Sequence, residues 1–315
     1  MTRLADRLAD RAGFGEALVG GVLLGGATSL SGLTVSVTAA WGGDASLAFS
    51  NGVGGIAAQT AFLVVADLSF RRVNLEHAAA EPVNLFQAAM LVILLGLPVL
   101  AYASPDVTLL GLHPASLAMF AAYLLGLRYA HQVHERPMWS PVETSDTHPD
   151  EPDDEDRGGG VLAPALAFAG LAAVLALSGW AIAQAASALS ARWGLSSSLV
   201  GALGTAVVTS LPELVTTVAA VRRGALQLAV GGIVGGNTFD TLFLVASDAA
   251  YREGSLFHAL APSDLYWLAT GLVMTAVLIA GLILRQRQGP GRIGVESATI
   301  LALYLAAALV QWRAG

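Results

Sequence analysis

Nine stretches of this sequence stay apolar for about 20 residues or more, the length that an α-helix needs to cross a bilayer. They run near 16–41, 46–70, 83–104, 109–132, 161–190, 196–221, 226–250, 263–284 and 293–312. With 55% hydrophobic residues and a mean hydropathy of +0.65, the chain is too apolar for a soluble domain of this size. The sequence therefore predicts an all-α polytopic membrane protein whose main partner is the lipid bilayer.

An acidic segment rich in Pro and Gly, 137–160, divides the runs into two groups. It cannot bury enough apolar surface to fold, so we expect a disordered linker between a first half, 1–136, and a second half, 161–315. The net charge of −7 comes largely from this segment and gives no indication of nucleic-acid binding. The absence of cysteine excludes disulfides and thiolate metal sites.

The two halves contain copies of one pattern. Residues 27–67 align with 208–248 without a gap, at a constant offset of 181 residues. The matches are Thr28, Ser29 and Leu30 with Thr209, Ser210 and Leu211; Gly54 and Gly55 with Gly235 and Gly236; Thr60 with Thr241; and Asp67 with Asp248. Two copies half a chain apart in an apolar protein are typical of transporters built from repeats.

Arginine placement predicts the orientation of the copies. If the 137–160 loop is cytoplasmic and the runs alternate, all but three of the 16 basic residues fall on the cytoplasmic side, as the positive-inside rule requires. An odd number of spans separates the copies, so the repeats are inverted. We therefore expect a multi-pass protein of the cell membrane with a cytoplasmic 137–160 loop.

The first copy lacks most of the apolar run that precedes the second copy. Under the same offset Arg11 and Gly13 match Arg192 and Gly194, which end a long apolar run in the second copy. Residues 1–14 are amphipathic, with arginines at i, i+4 and i+8. Either the start site is misassigned or a short interfacial helix replaces a spanning one. The fold prediction is thus five plus five helices with a truncated first helix.

Two carboxylates, Glu213 and Asp240, lie inside apolar runs. A charge at the centre of a membrane helix costs about 3 kcal/mol on insertion scales and usually marks an ion or substrate path. Thr209 lies one helical turn before Glu213, and Pro212 should break the helix between them. Hydroxyl, carboxylate and carbonyl oxygens within one turn suit a hard cation. The alternative is a kinked helix whose polar residues bond to each other.

The stretch GTAVVTSLPELVTTVAAVRRG, followed by LAVGGIVGGNTFDTLFLV, within 204–245, resembles an alpha repeat of the calcium/cation antiporter superfamily, which includes the sodium/calcium exchangers. TSLSGL and LAFSNGVGG in the first half resemble its partner. The resemblance implies ten helices in two inverted sets whose repeats cross at mid-membrane around a site for Ca²⁺ and Na⁺. Carried over by position, it implies these ion ligands: Thr28, Ser29, Gln59 (where Asn is usual), Thr209, Ser210, Glu213 and Asp240.

The first copy departs from that pattern. Ser31 and Gly32 stand where Pro-Glu is expected, and Gly55 and Gly236 stand where serines are usual. Both remaining carboxylates thus come from the second half. Ca²⁺ affinity follows ligand charge, so losing a carboxylate disfavours Ca²⁺ more than Na⁺ or H⁺. A carboxylate buried without a cation tends to take up a proton, which makes proton coupling plausible.

Four further polar residues allow two interpretations each. Asn51 and Asn237 either line the ion path or form hydrogen bonds between packed helices. Asp67 and Asp248 lie near helix ends, where a solvated carboxylate costs little, and a structural role is favoured. The glycine-rich segments 50–55 and 231–237 resemble contacts that let helices approach closely.

The first functional interpretation is a secondary cation antiporter of the sodium/calcium exchanger type, moving Ca²⁺ or another cation against Na⁺ or H⁺. The second is a monovalent cation/proton exchanger without Ca²⁺ transport, motivated by Gly32. The third is a degenerate, non-transporting relative. No catalytic motif supports an enzyme, and we expect no cofactor other than the transported ions.

Overall fold

The computed structural model describes residues 16–69, 74–140, 162–223, 226–287 and 293–314. Within these ranges the chain is helical and holds no β-strand. The helices are α1 Glu16–Trp41, α2 Ala45–Ser69, α3 Leu75–Ala78, α4 Pro82–Ala103, α5 Pro114–Glu135, α6 Leu162–Trp193, α7 Ser197–Thr209, α8 Leu211–Arg223, α9 Leu226–Asp240, α10 Leu242–Ala250, α11 Pro262–Leu284 and α12 Val295–Ala314, with a short 3₁₀ turn at Leu256–Ala259. The predicted interfacial start (1–14) and residues 141–160 of the predicted linker lie outside the described residues.

Every predicted apolar run contains a helix, and the polytopic, all-α prediction is confirmed. Among the described residues six helices are long and apolar enough to span a membrane, or seven if the bent pair α7–α8 counts as one span. The run expected from 109 begins as a helix only at Pro114. Leu110 and Gly111 have positive φ angles, and Leu109 pairs with Leu112, so a tight turn precedes the helix.

Helix α2 lies at the centre of the protein. Its apolar window is 78% buried, against 6% for α6, which packs mainly on α1 and the start of α7. Around α2 lie α1, α7, α8, α9, α11 and α12, so first-half and second-half helices surround it. The two halves are therefore interleaved rather than side by side.

Close helix contacts depend on glycine, as the glycine-rich segments predict. A Cβ atom at Gly54 of α2 would collide with the backbone of Ala202 in α7. In return, a Cβ atom at Gly201 would come within 3.0 Å of the Leu47 carbonyl oxygen. The backbones of α2 and α7 thus touch directly, at a stretch of α7 (Val200–Thr205) that is wound as a π-helix.

The predicted break at Pro212 is present. Helices α7 and α8 meet at Ser210 with a bend of 45°. Ser210 has φ −94° and ψ 2°, outside the helical range, and its amide still donates to the Ala206 carbonyl at 3.1 Å. The bend carries the chain past the middle of the bundle, with Thr209 on one side and Glu213 on the other.

Where α2 ends, Asp67 closes a corner of the protein. Its Oδ1 accepts from the Leu75 amide at 2.8 Å, and its Oδ2 accepts from the Gly294 amide at 3.2 Å. It therefore ties α2 to α3 and to the start of α12. Asp67 is fully buried, so its expected structural role is confirmed and its expected solvation is wrong.

Asp248, the repeat partner of Asp67, closes a matching corner. Its Oδ1 accepts from the Leu256 amide at 3.0 Å, and its Oδ2 accepts from the His113 amide at 2.7 Å. Both donors lie 181 positions from the corresponding donors to Asp67. Asp248 is likewise fully buried rather than solvated.

A histidine completes each corner. His77 Nδ1 meets the carbonyl oxygen of Arg285 at 2.7 Å, and His258 Nε2 meets that of Ser104 at 2.8 Å. These pairs also obey the offset of 181. The repeat thus extends beyond the aligned segments, and its copies run in opposite directions through the bundle.

Candidate cation-binding site

Two carboxylates face each other near the bend. Glu213 lies in the first turn of α8 and is 6% exposed, whereas Asp240 is the last residue of α9 and is 1% exposed. From α1 of the first half, Ser29 Oγ donates to Glu213 Oε1 at 3.3 Å and lies close to Asp240. The Thr28 hydroxyl bonds Glu213 as well. Hydroxyls of one half thus meet carboxylates of the other.

Gln59 forms the second contact between the halves. Its Nε2 donates to Asp240 Oδ2 at 2.6 Å and to Ser210 Oγ at 3.3 Å. Gln59 and Asp240 are repeat partners at the offset of 181. A direct bond between repeat partners lies at the centre of the inverted arrangement, where both copies approach the same point.

Several buried oxygen atoms around this point lack a hydrogen-bond partner. They are one carboxylate oxygen each of Glu213 (Oε2) and Asp240 (Oδ1), and the amide oxygens of Gln59 (Oε1) and Asn237 (Oδ1). A buried acceptor left unpaired costs about 1–3 kcal/mol. Within the described ranges neither carboxylate forms an ion pair with a basic side chain. A bound cation would satisfy such oxygens and balance their charge.

Carboxylates alone would not complete a metal coordination sphere here. In the part of the chain that the structure describes, no three His, Cys, Asp or Glu side chains are arranged to hold a metal ion. A hard cation at this point would therefore need the amide and hydroxyl oxygens of Gln59, Ser29 and Ser210 beside the two carboxylates. These are the oxygen types that Ca²⁺ and Na⁺ accept.

Thr209 lies at the edge of the site. Its hydroxyl donates to the Thr205 carbonyl at 2.9 Å and approaches the Ala206 carbonyl at 3.3 Å, so its proton is used within its own helix. The next residue, Ser210, accepts the Gln59 amide. Of the pair that the resemblance selected, Ser210 faces Asp240 and Gln59 more directly than Thr209 does.

Asn51 and Asn237 differ in whether their side chains are fully hydrogen-bonded. Asn51 donates both amide hydrogens, to the Gly32 carbonyl at 3.0 Å and to Ser36 Oγ at 2.9 Å, and its oxygen accepts from Thr205 at 2.7 Å. Of the two interpretations of Asn51, an ion-path role or hydrogen bonds between packed helices, these bonds agree with the second. Asn237 donates to Thr60 Oγ at 3.0 Å and keeps its buried oxygen unpaired.

Phe243 occupies the place beside Gly32 where the family pattern predicts a first-half carboxylate. A Cβ atom at Gly32 would lie 2.9 Å from the Phe243 ring and 3.4 Å from Thr209 Oγ. The glycine therefore accommodates an aromatic ring, and the ring fills space that an acidic side chain would need. Sequence reasoning found Gly32 but missed Phe243, because no repeat or spacing indicates which residue packs on a glycine.

Gly55 and Gly236, which stand where the family pattern has serines, border the site. A Cβ atom at Gly55 would lie 3.5 Å from Ser210 Oγ and 3.9 Å from Asp240 Oδ2. A Cβ atom at Gly236 would lie 3.4 Å from Gln59 Oε1. Both positions border the oxygen atoms just described, and a glycine at each leaves more room than a serine would.

A small cavity of about 20 Å³ lies between α4, α5 and α9. Thr238, two residues before Asp240, lines it together with Gln87 and Tyr123. Tyr123 is close enough to Asp240 to interact with it electrostatically. The cavity therefore lies beside the end of α9 that carries Asp240.

Comparison with known proteins decides the family. The sequence profile described as "Sodium/calcium exchanger protein" matches residues 1–132 and 162–313, which cover both halves and leave out the acidic segment. The chain belongs to the sodium/calcium exchanger protein family. Its two inverted repeats and its polytopic helical fold are those of this family, which is a family of membrane transporters rather than of enzymes.

A curated bacterial membrane protein resembles part of this chain. Inner membrane protein YrbG of Escherichia coli (strain K12) is 33% identical over 107 residues, which cover 34% of this chain and 32% of YrbG. The aligned segment thus spans about a third of that relative.

Two solved exchanger structures share the fold. The sodium-calcium exchanger NCX_Mj has a TM-score of 0.59 at 16% identity, covering 98% of this chain and 91% of that one. The H⁺/Ca²⁺ exchanger CAX has a TM-score of 0.58 at 14% identity, covering 99% and 85%. At these identities the likeness establishes the fold.

Proposed function

We propose that this chain is a secondary cation antiporter whose cation binds between the two halves, on Glu213, Asp240, Ser29, Ser210 and Gln59. The observation that carries the proposal is the group of buried, unpaired oxygen atoms on three of these residues and Asn237, beside two carboxylates without a basic partner. Membership of the exchanger family and the fold shared with NCX_Mj and CAX support the same function.

The ligands come from both halves, and this distribution supports alternating access. The Ser29–Glu213 and Gln59–Asp240 bonds cross from first-half helices to second-half helices. A cation bound by both sets would draw the halves together, and its release would let them separate on one side at a time. Binding or release of the cation would thus change the contacts of residues in both halves.

The charge of the site limits what it can exchange. Glu213 and Asp240 together carry two negative charges when ionised, and their first-half repeat partners Gly32 and Gln59 carry none. One Ca²⁺, two Na⁺ or two protons would each balance that charge. We infer that one Ca²⁺ exchanges for two monovalent cations, without net charge movement.

Ca²⁺ is our first choice of substrate because two carboxylates with several neutral oxygens form a hard, doubly charged ligand set. Exchange of Na⁺ and H⁺ without Ca²⁺ is the second, and a specific observation favours it. The Phe243 ring lies where a further first-half carboxylate would need to enter beside Gly32. Ca²⁺ would lose more from that missing charge than a monovalent ion would.

Purified protein in proteoliposomes tests the proposal. We expect an outward Na⁺ or H⁺ gradient to drive ⁴⁵Ca²⁺ uptake, and Glu213→Gln to abolish it. Glu135→Gln is the matched control, because the Glu135 side chain is 56% exposed at the end of α5. If exchange is electroneutral, clamping the membrane potential with K⁺ and valinomycin should leave the uptake rate unchanged.

The other outcomes separate the alternatives. Na⁺/H⁺ exchange that requires Glu213, without Ca²⁺ uptake, would assign the chain to the second class. Absence of any cation flux under every gradient, from protein that is folded, would leave the non-transporting interpretation. We propose the cell membrane as its location, with the 137–160 loop cytoplasmic as the arginine distribution predicts.

A further inference from the structure

The corner closed by Asp67 contains two further buried carboxylates. Glu76 of α3 is fully buried, and Glu296 in the first turn of α12 is 5% exposed. Ser297 Oγ donates to Glu76 Oε1 at 3.0 Å, and Asp67 and Glu296 both act electrostatically on Glu76. Three acidic groups from both halves therefore share one small buried volume.

The matching corner lacks these acids. At the offset of 181, Glu76 corresponds to Phe257, and Glu296 corresponds to Ala115. The backbone bonds to Asp248 there equal those to Asp67, so the fold does not need Glu76 or Glu296 to close a corner. Their presence at one corner requires another explanation.

Both extra carboxylates carry an oxygen without a hydrogen-bond partner, Glu76 Oε2 and Glu296 Oε1. The Glu296 side chain is enclosed, because a Cβ atom at Gly281 or at Gly294 would collide with it. An unpaired buried carboxylate oxygen is costly. A proton on Glu76 removes the charge of its carboxylate from this buried volume.

Three further residues with ionisable side chains, His77, Arg285 and Arg287, lie at this corner. His77, beside Glu76 in α3, is bonded through Nδ1 to the Arg285 carbonyl, and the Arg285 guanidinium donates to the His77 carbonyl at 3.3 and 3.4 Å. Arg287 accepts from the Asn74 amide through its carbonyl at 3.1 Å. Helix α9, which also packs against α3, has no titratable side chain before Asp240 at its far end.

A metal ion is a poorer occupant than a proton. No three acidic or histidine side chains in the described residues are arranged to hold a metal, and that finding includes these three acids. Two oxygens of Asp67 are already used by the Leu75 and Gly294 amides, and one of Glu76 is used by Ser297. Too few free oxygens remain for a coordination sphere of six or more.

We propose that Glu76, with Asp67 and Glu296 beside it, forms a proton-binding site, and that the bound proton holds the two halves together at this membrane face. The site is separate from the candidate cation site, and the proposal does not depend on which ion is transported. Loss of the proton leaves Glu76 as a negative carboxylate beside two other acidic side chains in one buried corner. The cost of that buried charge then acts against the bonds that join α2 and α3 to residues 285–287 and 293–297.

The pH range follows from Glu76, which lies in α3 between the spanning helices. Burial, with the Asp67 and Glu296 carboxylates beside it, raises the pKa of Glu76 from 4.5 to about 8. A group whose pKa is raised by folding stabilises the fold fully below its unfolded value, and this contribution is lost as pH rises to the folded value. The corner should therefore weaken between pH 4.5 and about 8 and change little above that.

Infrared difference spectroscopy of the full chain in nanodiscs tests proton binding directly. During a titration from about pH 6 to about pH 9.5, the wild type should lose a protonated carboxyl band with a midpoint near 8. Glu76→Gln should lack that band. Glu296→Gln should move the midpoint to lower pH, because one neighbouring charge is gone, and the exposed control Glu135→Gln should titrate as the wild type does.

Amide hydrogen exchange tests the link between the halves. After correction for the intrinsic rate, exchange of the Leu75 and Gly294 amides should accelerate across the same pH range in the wild type but not in Glu76→Gln. The matching Leu256 and His113 amides should show no such change. Glu296→Gln serves as the second variant if Glu76→Gln does not fold.

Three results would overturn the proposal. The band could persist in Glu76→Gln, which would place the proton elsewhere. Na⁺ or Ca²⁺ at a fixed pH near 6.5 could remove the band in the wild type but not in Glu76→Gln, which would make a metal ion the ligand. Exchange of the Leu75 and Gly294 amides could be the same in the wild type and Glu76→Gln at every pH, which would show that the proton does not control the corner.

Discussion

The corners of the two halves repeat the same backbone bonds to a buried aspartate, whereas the side chains at the centre where the halves meet are not repeated. Asp67 and Asp248 accept the same pair of backbone amides at the same offset. At the centre, Asp240 faces Gln59, and Glu213 has Gly32 as its repeat partner. The inverted fold thus keeps its corner bonds in both copies and carries the central charge in one.

This difference separates two requirements. A corner must satisfy buried backbone amides wherever the chain turns, and both copies turn in the same way, so both need the carboxylate. The centre must supply enough negative charge for a cation, and a cation between the halves is attracted by the total charge rather than by its origin. One half can therefore lose its acids while the fold persists.

The largest expected effect tests whether the origin of the charge matters. Asp240→Asn should weaken Ca²⁺ binding about 100-fold, because it removes a buried charge worth about 3 kcal/mol, at 1.4 kcal/mol per tenfold. Gln59→Glu combined with Asp240→Asn moves the charge to the repeat partner. We expect the double variant to recover most of the affinity in a calorimetric titration, and equal losses in both variants would contradict the total-charge argument.

A pair of glycines compares the halves at their closest approach. Gly54→Ala should lower stability by about 2–3 kcal/mol, because the new methyl group meets the Ala202 backbone, which cannot move aside. Its repeat partner is the matched control: in Gly235→Ala the methyl group would lie 3.6 Å from Gln87 Oε1, an ordinary contact. Thermal unfolding in detergent should show a large shift for the first variant and a small one for the second.

The corners should respond alike at low pH and differently at high pH. Asp67→Asn and Asp248→Asn each replace one acceptor oxygen by an amide group, at a cost of about 2 kcal/mol. Removing Asp67 also relieves its repulsion of Glu76, whose pKa of about 8 should then fall. The thermal unfolding midpoint of Asp248→Asn should therefore lie below that of Asp67→Asn at about pH 9 and close to it at about pH 5. A difference between the two unfolding midpoints that does not change with pH would argue against the acidic cluster.

The smallest expected effect restores the missing charge. Gly32→Glu alone should gain little, because the Phe243 ring lies 2.9 Å from the new Cβ atom. Gly32→Glu combined with Phe243→Leu removes the obstructing ring atoms, and we expect Ca²⁺ to bind about tenfold more tightly than to Phe243→Leu alone, an effect of about 1.4 kcal/mol. An unchanged affinity, measured by the same calorimetry, would show that charge does not limit selectivity.

The sequence was enough to predict the helices, the repeat and the residues that meet at the centre. Apolar length predicts the spans, the offset of 181 predicts the inverted copies, and the resemblance to the calcium/cation antiporters implies that Ser29, Gln59, Glu213 and Asp240 share one site at mid-membrane. It could not predict that Phe243 fills the space beside Gly32. That contact depends on the rotation and depth of α10 against α1, which a helical period leaves open.

The buried corners were missed for a related reason. Asp67, Asp248, Glu76 and Glu296 lie near helix ends, where most carboxylates are solvated. Whether a helix end is covered depends on which distant segment folds over it, here residues 285–287 and 293–297 for Asp67 and 104–116 for Asp248. A signal was available, because Ser116, Ser297 and both histidines also obey the offset, and extending the repeat comparison past the aligned segments would have found them.

The bond between Gln59 and Asp240 joins a neutral side chain of the first half to a carboxylate of the second, and this asymmetry matters for a carrier with two open states. In an exchanger whose halves were identical, opening to either side would present the same electrostatic surface to water, and the unloaded carrier would rest equally on both sides. In the antiporter proposed above, the central charge belongs to one half, so each opening would expose it through a different set of helices. We therefore expect the unloaded protein to rest facing one side, so that transport runs faster in one direction than in the other at equal driving force.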